Sequence, residues 1–109
     1  MKDDKIYILH INDSVNRILD YTSNGKEGFF ADTKTQDAVV RNLEIIGEAV
    51  KNVSSELKLK YTNVPWKSIA GMRDKLIHDY FGVNLELVWD VVETELPKFK
   101  KNISSILSS

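Results

Sequence analysis

Between Gly71 and Tyr80 the chain reads GMRDKLIHDY, ten positions that hold Arg73, Asp74, Lys75, His78, Asp79 and Tyr80. The chain's other histidine is His10. An imidazole titrates near neutral pH and can take or give a proton there. A guanidinium stays charged and presents a flat fork of donors suited to an oxyanion. Together they could move a proton beside a bound anion. Geometry works against the simplest version of that idea. On a straight helix, residues five apart point about 140° away from each other. Joint action by Arg73 and His78 then needs Arg73 to reach around, the helix to distort near its end, or a second chain to complete the site. Asp74 and His78, four apart, are neighbours on one helix surface. The plainer account of the same residues is a solvated helix face, with a histidine near the C-terminus that favours the helix dipole. Composition alone favours that account.

Other chemistries find less support. No cysteine is present, which removes disulfides, thiolate metal sites and cysteine nucleophiles. One histidine among scattered carboxylates lacks the ligand spacing of a zinc site, and no HExxH occurs. No GxSxG elbow and no GxGxxG or GxxxxGK[ST] phosphate loop is found. No metal and no cofactor is expected.

The elements that must position these residues are read from apolar spacing. At 109 residues the chain is expected to form one domain, 1–109, with one core. Ile8, Ile11, Val15, Ile18 and Thr22 step by three and four, as do Val39, Leu43, Ile46, Val50, Val53 and Leu57. Leu85, Val88, Val92, Leu96, Phe99, Ile103 and Ile106 form a third such stripe. No long segment alternates with period two, so no sheet is expected. Asn24-Gly25 and Gly28 predict a loop from about Thr22 to Asp32. Thr33 with Gln36 resembles a capping box for the second helix. Pro65 suits the first turn of a third helix, Gly82 the end of the element after it, and Asn84 the cap of the last. Pro97 should bend that last helix. The predicted fold is all-α, an up-and-down bundle of four to five helices with a kinked C-terminal helix. If GMRDKLIHDY is helical, Ile69, Met72, Leu76 and Tyr80 share its core stripe.

The net charge of −1 argues against a nucleic-acid coat protein and leaves room for an enzyme that touches RNA briefly. The N-terminus does not read as a signal peptide, and no run approaches the roughly 20 apolar residues of a membrane span. A soluble protein of the cytoplasm is expected.

Here the sequence resembles a known group. Arg73-Asp74-x-x-x-His78 on a late helix of a small all-α domain is similar to the signature of the HEPN superfamily. PWKSIAGMRDKLIHDYFGVNLELVWDVV, with RNLEIIGEA upstream and a lysine-rich helix after Leu96-Pro97, resembles the HepT-like proteins over nearly the whole chain. Their pattern R-x4-H-x-Y falls on Arg73, His78 and Tyr80. The resemblance implies a metal-independent endoribonuclease, the toxin half of a type VII-like toxin–antitoxin pair. It implies a minimal nucleotidyltransferase of the MNT type as antitoxin, able to transfer AMP to Tyr80 and silence the toxin. Arg73 and His78 would be the catalytic pair. HEPN proteins place their site in a cleft between protomers, so a homodimer or higher oligomer is expected.

RNA carries its own nucleophile, the 2′-hydroxyl. Such an enzyme needs a base, an acid and a cation, and would leave a 2′,3′-cyclic phosphate and a 5′-hydroxyl. Asp74 could orient the His78 imidazole. Of the polar residues in RNLEIIGEA, Arg41, Asn42, Glu44 and Glu48 sit off the core stripe. Asn42 and Glu48 are taken as supporting residues, beside the plainer account of a surface ion-pair ladder. His10 is expected to be an ordinary helix residue. The competing function is a non-catalytic helical binding module that partners a nucleotidyltransferase and is modified by it. The low overall basicity favours that alternative.

Overall fold

The computed structural model describes residues 4–76 and 83–109. The chain runs through α1 (Asp4–Tyr21), α2 (Gly25–Ala31), α3 (Thr33–Asn52), α4 (Ser55–Lys60), α5 (Trp66–Ala70), α6 (Met72–Leu76), α7 (Leu85–Asp90), a π-helical turn (Val91–Glu95) and α8 (Leu96–Ser108). Among the described residues there is no strand, and no helix is long and apolar enough to cross a membrane. The fold is all-α, as the spacing predicts.

The three apolar stripes meet in one core. Ile11, Val15 and Ile18 of α1, Val39, Leu43, Ile46 and Val50 of α3, and Val88 and Ile103 of the last helical run are all fully buried. Fully burying a branched aliphatic side chain contributes about 1.5–3 kcal/mol, so these positions dominate the stability of the bundle. α1 packs chiefly against α3 and α8. The Asp4 carboxylate, at the start of α1, accepts the Ser54 N–H at 2.8 Å and the Ser54 hydroxyl at 2.6 Å, just beyond the end of α3. That contact makes α1 and α3 antiparallel. At the other end of α1, the Lys100 ammonium on α8 donates to Asn16 Oδ1 at 2.5 Å.

The Asp4–Ser54 contact is not visible in the apolar pattern. Burial raises the Asp4 carboxyl pKa, but the hydrogen bonds from the Ser54 hydroxyl and N–H outweigh it and leave it below the usual aspartate value. A depressed folded-state pKa contributes stability above the unfolded value, and that contribution is lost as pH falls through the folded value. Asp4→Ala is expected to destabilise the protein by about 1–3 kcal/mol near neutral pH, because it strands the Ser54 N–H. Urea unfolding from pH 6 downwards should show the gap between wild type and variant closing below about pH 4. A gap that persists unchanged to pH 2.5 would show that the charge is not what stabilises.

Three local expectations need correction. The stretch 22–32 is not all loop. Gly25, at a φ of 79°, turns the chain into α2, and Phe29 is buried. The ring of Phe29 lies 5.1 Å from Phe30, edge on, and 5.4 Å from Trp89 of α7. A partner sixty residues away therefore stabilises a helix whose own two glycines disfavour it. The cap of α3 is Asp32, not Thr33. Its carboxylate accepts the Lys34 N–H at 3.0 Å and the Thr35 hydroxyl at 2.8 Å. Gln36 Nε2 instead donates to the carbonyls of Phe29 and Phe30 at 3.0 and 3.2 Å, tying α2 to α3. The stripe from Val39 to Leu57 is also divided. α3 ends at Asn52, Val53 is extended, and Ser54 caps α4 by accepting the Leu57 N–H.

Asn84 caps α7, its side chain accepting the Leu87 N–H at 3.1 Å. The effect of Pro97 appears one turn earlier. A proline there has no N–H to bond the carbonyl four residues back, and its ring would strike that carbonyl. The turn Val91–Glu95 widens to π geometry, with the Leu96 N–H donating to Val91 O. A widened turn of this kind removes the clash without ending the helix.

Candidate active site

Arg73 lies on α6, whose backbone is held from both sides. The Gly71 N–H donates to Lys67 O and the Lys75 N–H to Gly71 O, so helical bonding bridges α5 and α6. Ile69, Met72 and Leu76 are buried, as the stripe requires. α3 packs against both α5 and α6. The approach is close because residue 47 is glycine. A Cβ there would lie 3.4 Å from Ile69 O and 3.6 Å from Ala70 O. Gly47 thus sets the distance from α3 to the segment that carries Arg73. Sequence reasoning passed over it, although a glycine inside a strong helical stripe is a signal of close approach.

Asp74 is exposed on α6. His78 and Tyr80, with Gly82, lie outside the described residues. The face shared by Asp74 and His78, and the reach of Arg73 towards His78, are therefore not part of the described geometry.

The two supporting residues on α3 are placed differently from each other. Asn42 does not sit off the stripe. It is 6% exposed, its Nδ2 donates to Ala38 O at 2.9 Å, and its Oδ1 is buried with no hydrogen-bond partner among the described residues. Along α3 it lies three residues from the buried Val39 and four from the buried Ile46, and it shares their buried side. A buried acceptor left unpaired costs about 1–3 kcal/mol and calls for an explanation. Glu48 is exposed and lies 3.9 Å from the Lys51 ammonium one turn on. An exposed pair of that kind contributes at most about 1 kcal/mol. Glu48→Gln should shift the unfolding free energy by less than about 0.5 kcal/mol. Any loss of activity in that variant would then report a role at the site and not in the fold.

The structure does bring the three charged residues of RNLEIIGEA together with His10. Tyr7 and His10 of α1 face Arg41, Glu44 and Glu48 of α3 across an open groove of about 450 Å³. A second groove of about 330 Å³ shares Arg41 and Glu44 and reaches Val83 and Leu85. His10 therefore lines a polar groove, which the sequence pattern did not anticipate.

Comparison with known proteins bears on the whole chain. Residues 11–106 match a family model described as ribonuclease HepT-like. A protein of Methanocaldococcus jannaschii named "Gamma-glutamylcyclotransferase and putative RNase" is 50% identical over 107 residues, 97% of this chain. The chain spans 48% of that relative's length. A protein of Thermococcus cleftensis named "Probable ribonuclease HepT" is 43% identical over 97 residues, 88% of each chain. No solved structure matches the chain.

Proposed function

The chain belongs to the ribonuclease HepT-like family, and from that membership we propose that it is a metal-independent endoribonuclease. The observation that carries the reading is the family match over residues 11–106, which contains the Arg73-x4-His78-x-Tyr80 pattern. The placement of Arg73 on a short helix held against α3 supports it.

In this reading an imidazole of His78 removes the proton of an RNA 2′-hydroxyl. The 2′-oxygen attacks the adjacent phosphorus, and the bond from phosphorus to the 5′-oxygen breaks. The products are a 2′,3′-cyclic phosphate and a 5′-hydroxyl that has taken up a proton. Arg73 balances the charge that gathers on the phosphoryl oxygens. Asp74 orients the imidazole. Asn42 and Glu48 are weaker supports, Asn42 through its buried unpaired acceptor. One imidazole does not readily serve as base and acid in the same turnover, so the site is completed by a second copy of the chain. The activity is that of a toxin silenced by a nucleotidyltransferase of the MNT type. Transfer of AMP to Tyr80 would place a phosphate and a nucleoside beside Arg73 and compete with an RNA phosphate.

The test is cleavage of end-labelled tRNA and a model mRNA in EDTA, on protein whose intact mass shows no added AMP. Fragments ending in cyclic phosphate are expected. No cleavage by folded, unmodified protein would discard the nuclease and leave the binding module as the function.

A further inference from the structure

The net charge of −1 hides an uneven distribution. From Lys58 to Lys75 the chain carries five cations, Lys58, Lys60, Lys67, Arg73 and Lys75, against one carboxylate, Asp74. The remaining residues hold ten cations against fifteen carboxylates, so a +4 stretch sits in a chain that is otherwise −5. This stretch is also the one that leads into the Arg73 helix.

The structure sorts its residues by face. Trp66, Ile69, Met72 and Leu76 are buried, while Lys67, Gly71 and Lys75 are exposed at four-residue intervals. The Gly71 N–H donates to Lys67 O and the Lys75 N–H to Gly71 O, which links the three positions; eight residues of regular helix would span about 12 Å. Two ion pairs of the described residues, Arg17–Asp13 and Lys51–Glu48, lie on α1 and α3. At the other end of the stretch, Trp66 Nε1 donates to Tyr61 O at 3.0 Å and ties the start of α5 to the end of α4. The Lys60 ammonium stands at that corner, 5.7 Å from the centre of the Tyr61 ring.

Gly71 is the unexpected residue on this face. Its φ of −86° and ψ of 0° are open to any residue. A Cβ would lie 3.5 Å from Lys67 O, an ordinary contact. Neither its backbone conformation nor its packing among the described residues requires glycine, and alanine would favour the helix. What glycine provides here is bare backbone between two lysine stems, where another chain can lie close.

We propose that the outward face of α5 and α6, Lys67 and Lys75 on either side of Gly71 with Lys60 at the α4–α5 corner, binds the phosphate backbone of RNA and leads it to Arg73. The inference rests on the ribonuclease reading and names where that substrate is held. It also removes the objection from low basicity, because attraction depends on the local field and not on the net charge.

The test uses the whole protein and a single-stranded 2′-O-methyl oligoribonucleotide, which lacks the attacking hydroxyl and is not consumed. Binding is measured from 50 to 300 mM salt for wild type, Lys67→Ala/Lys75→Ala, Gly71→Ala and the α8 control Lys98→Ala/Lys101→Ala. Each neutralised phosphate on a single strand contributes about 0.7 to the log–log salt slope. The α5–α6 double variant should lose about 1.4 of that slope and bind several-fold more weakly. Against cleavable RNA it should raise KM and keep kcat. Gly71→Ala should bind more weakly at unchanged slope while melting no lower than wild type, which separates an obstructed track from a damaged fold. The α8 control should keep the wild-type slope. An unchanged slope in the α5–α6 variant, an equal loss in the α8 control, or no binding by wild type would overturn the inference. Binding that depends on Lys67 and Lys75 in a protein that never cleaves RNA would sink the nuclease reading and leave this surface standing.

Discussion

His78→Ala is expected to lower RNA cleavage by about 10²–10⁴-fold with no loss of stability, the range in which a positioned acid–base group contributes. The companion variant Arg73→Lys keeps the charge and removes the fork. It should lower kcat while leaving the melting temperature in place, because a single ammonium cannot bridge two phosphoryl oxygens. The pairing of variants matters. If both residues act on one phosphate, the double variant should be no worse than about the weaker single, since groups acting as a unit are far from additive. Rates are to be read in EDTA on protein free of added AMP. Wild-type rates in His78→Ala would remove histidine from the chemistry and with it the proposed mechanism.

Gly47→Leu is expected to damage activity from a distance. The position lies on α3, remote in sequence from GMRDKLIHDY, and its variant touches no RNA. Its Cα faces the carbonyls of Ile69 and Ala70 at a separation where a bare Cβ just fits. A leucine must push α5 outward, and α6 follows because helical bonds bridge Gly71. Overpacking of this kind costs about 1–3 kcal/mol. A displacement of 1 Å at a reacting group can cost about 10²-fold in rate. Gly47→Ala is the control. It adds only the Cβ that fits, gains about 0.5–1 kcal/mol of helix preference, and should cleave normally. Thermal midpoints and single-turnover rates measured on the two variants separate the effects. A Gly47→Leu protein that melts lower yet cleaves at the wild-type rate would show that the α3–α5 contact supports the fold without positioning Arg73.

Apolar spacing marked the long helices and their inward faces. Ile8, Ile11, Val15 and Ile18 could bury one stripe only as a helix, and the same holds for Val39, Leu43, Ile46 and Val50. Ile69, Met72 and Leu76 likewise marked the inner side of the Arg73 segment. Asn84 announced its cap and Pro97 its disturbance, because both act on backbone groups within one turn. The spacing of Arg73, His78 and Tyr80 was legible as a motif, since it is purely local.

Tertiary structure decided what depends on contacts between distant residues. α2 forms because Phe29 finds Trp89, which no window around two glycines could reveal. Asn42 is buried beside Val39, Ile46 and Ala49, so residue type alone did not define the buried side of α3. Asp4 meets Ser54 only once α1 and α3 lie antiparallel. Gly47 gained its meaning from a backbone that arrives twenty residues later. The charges of α5 and α6 became a face in the same way. Periodicity shows which residues turn inward, but only packing shows what the outward ones are left to meet.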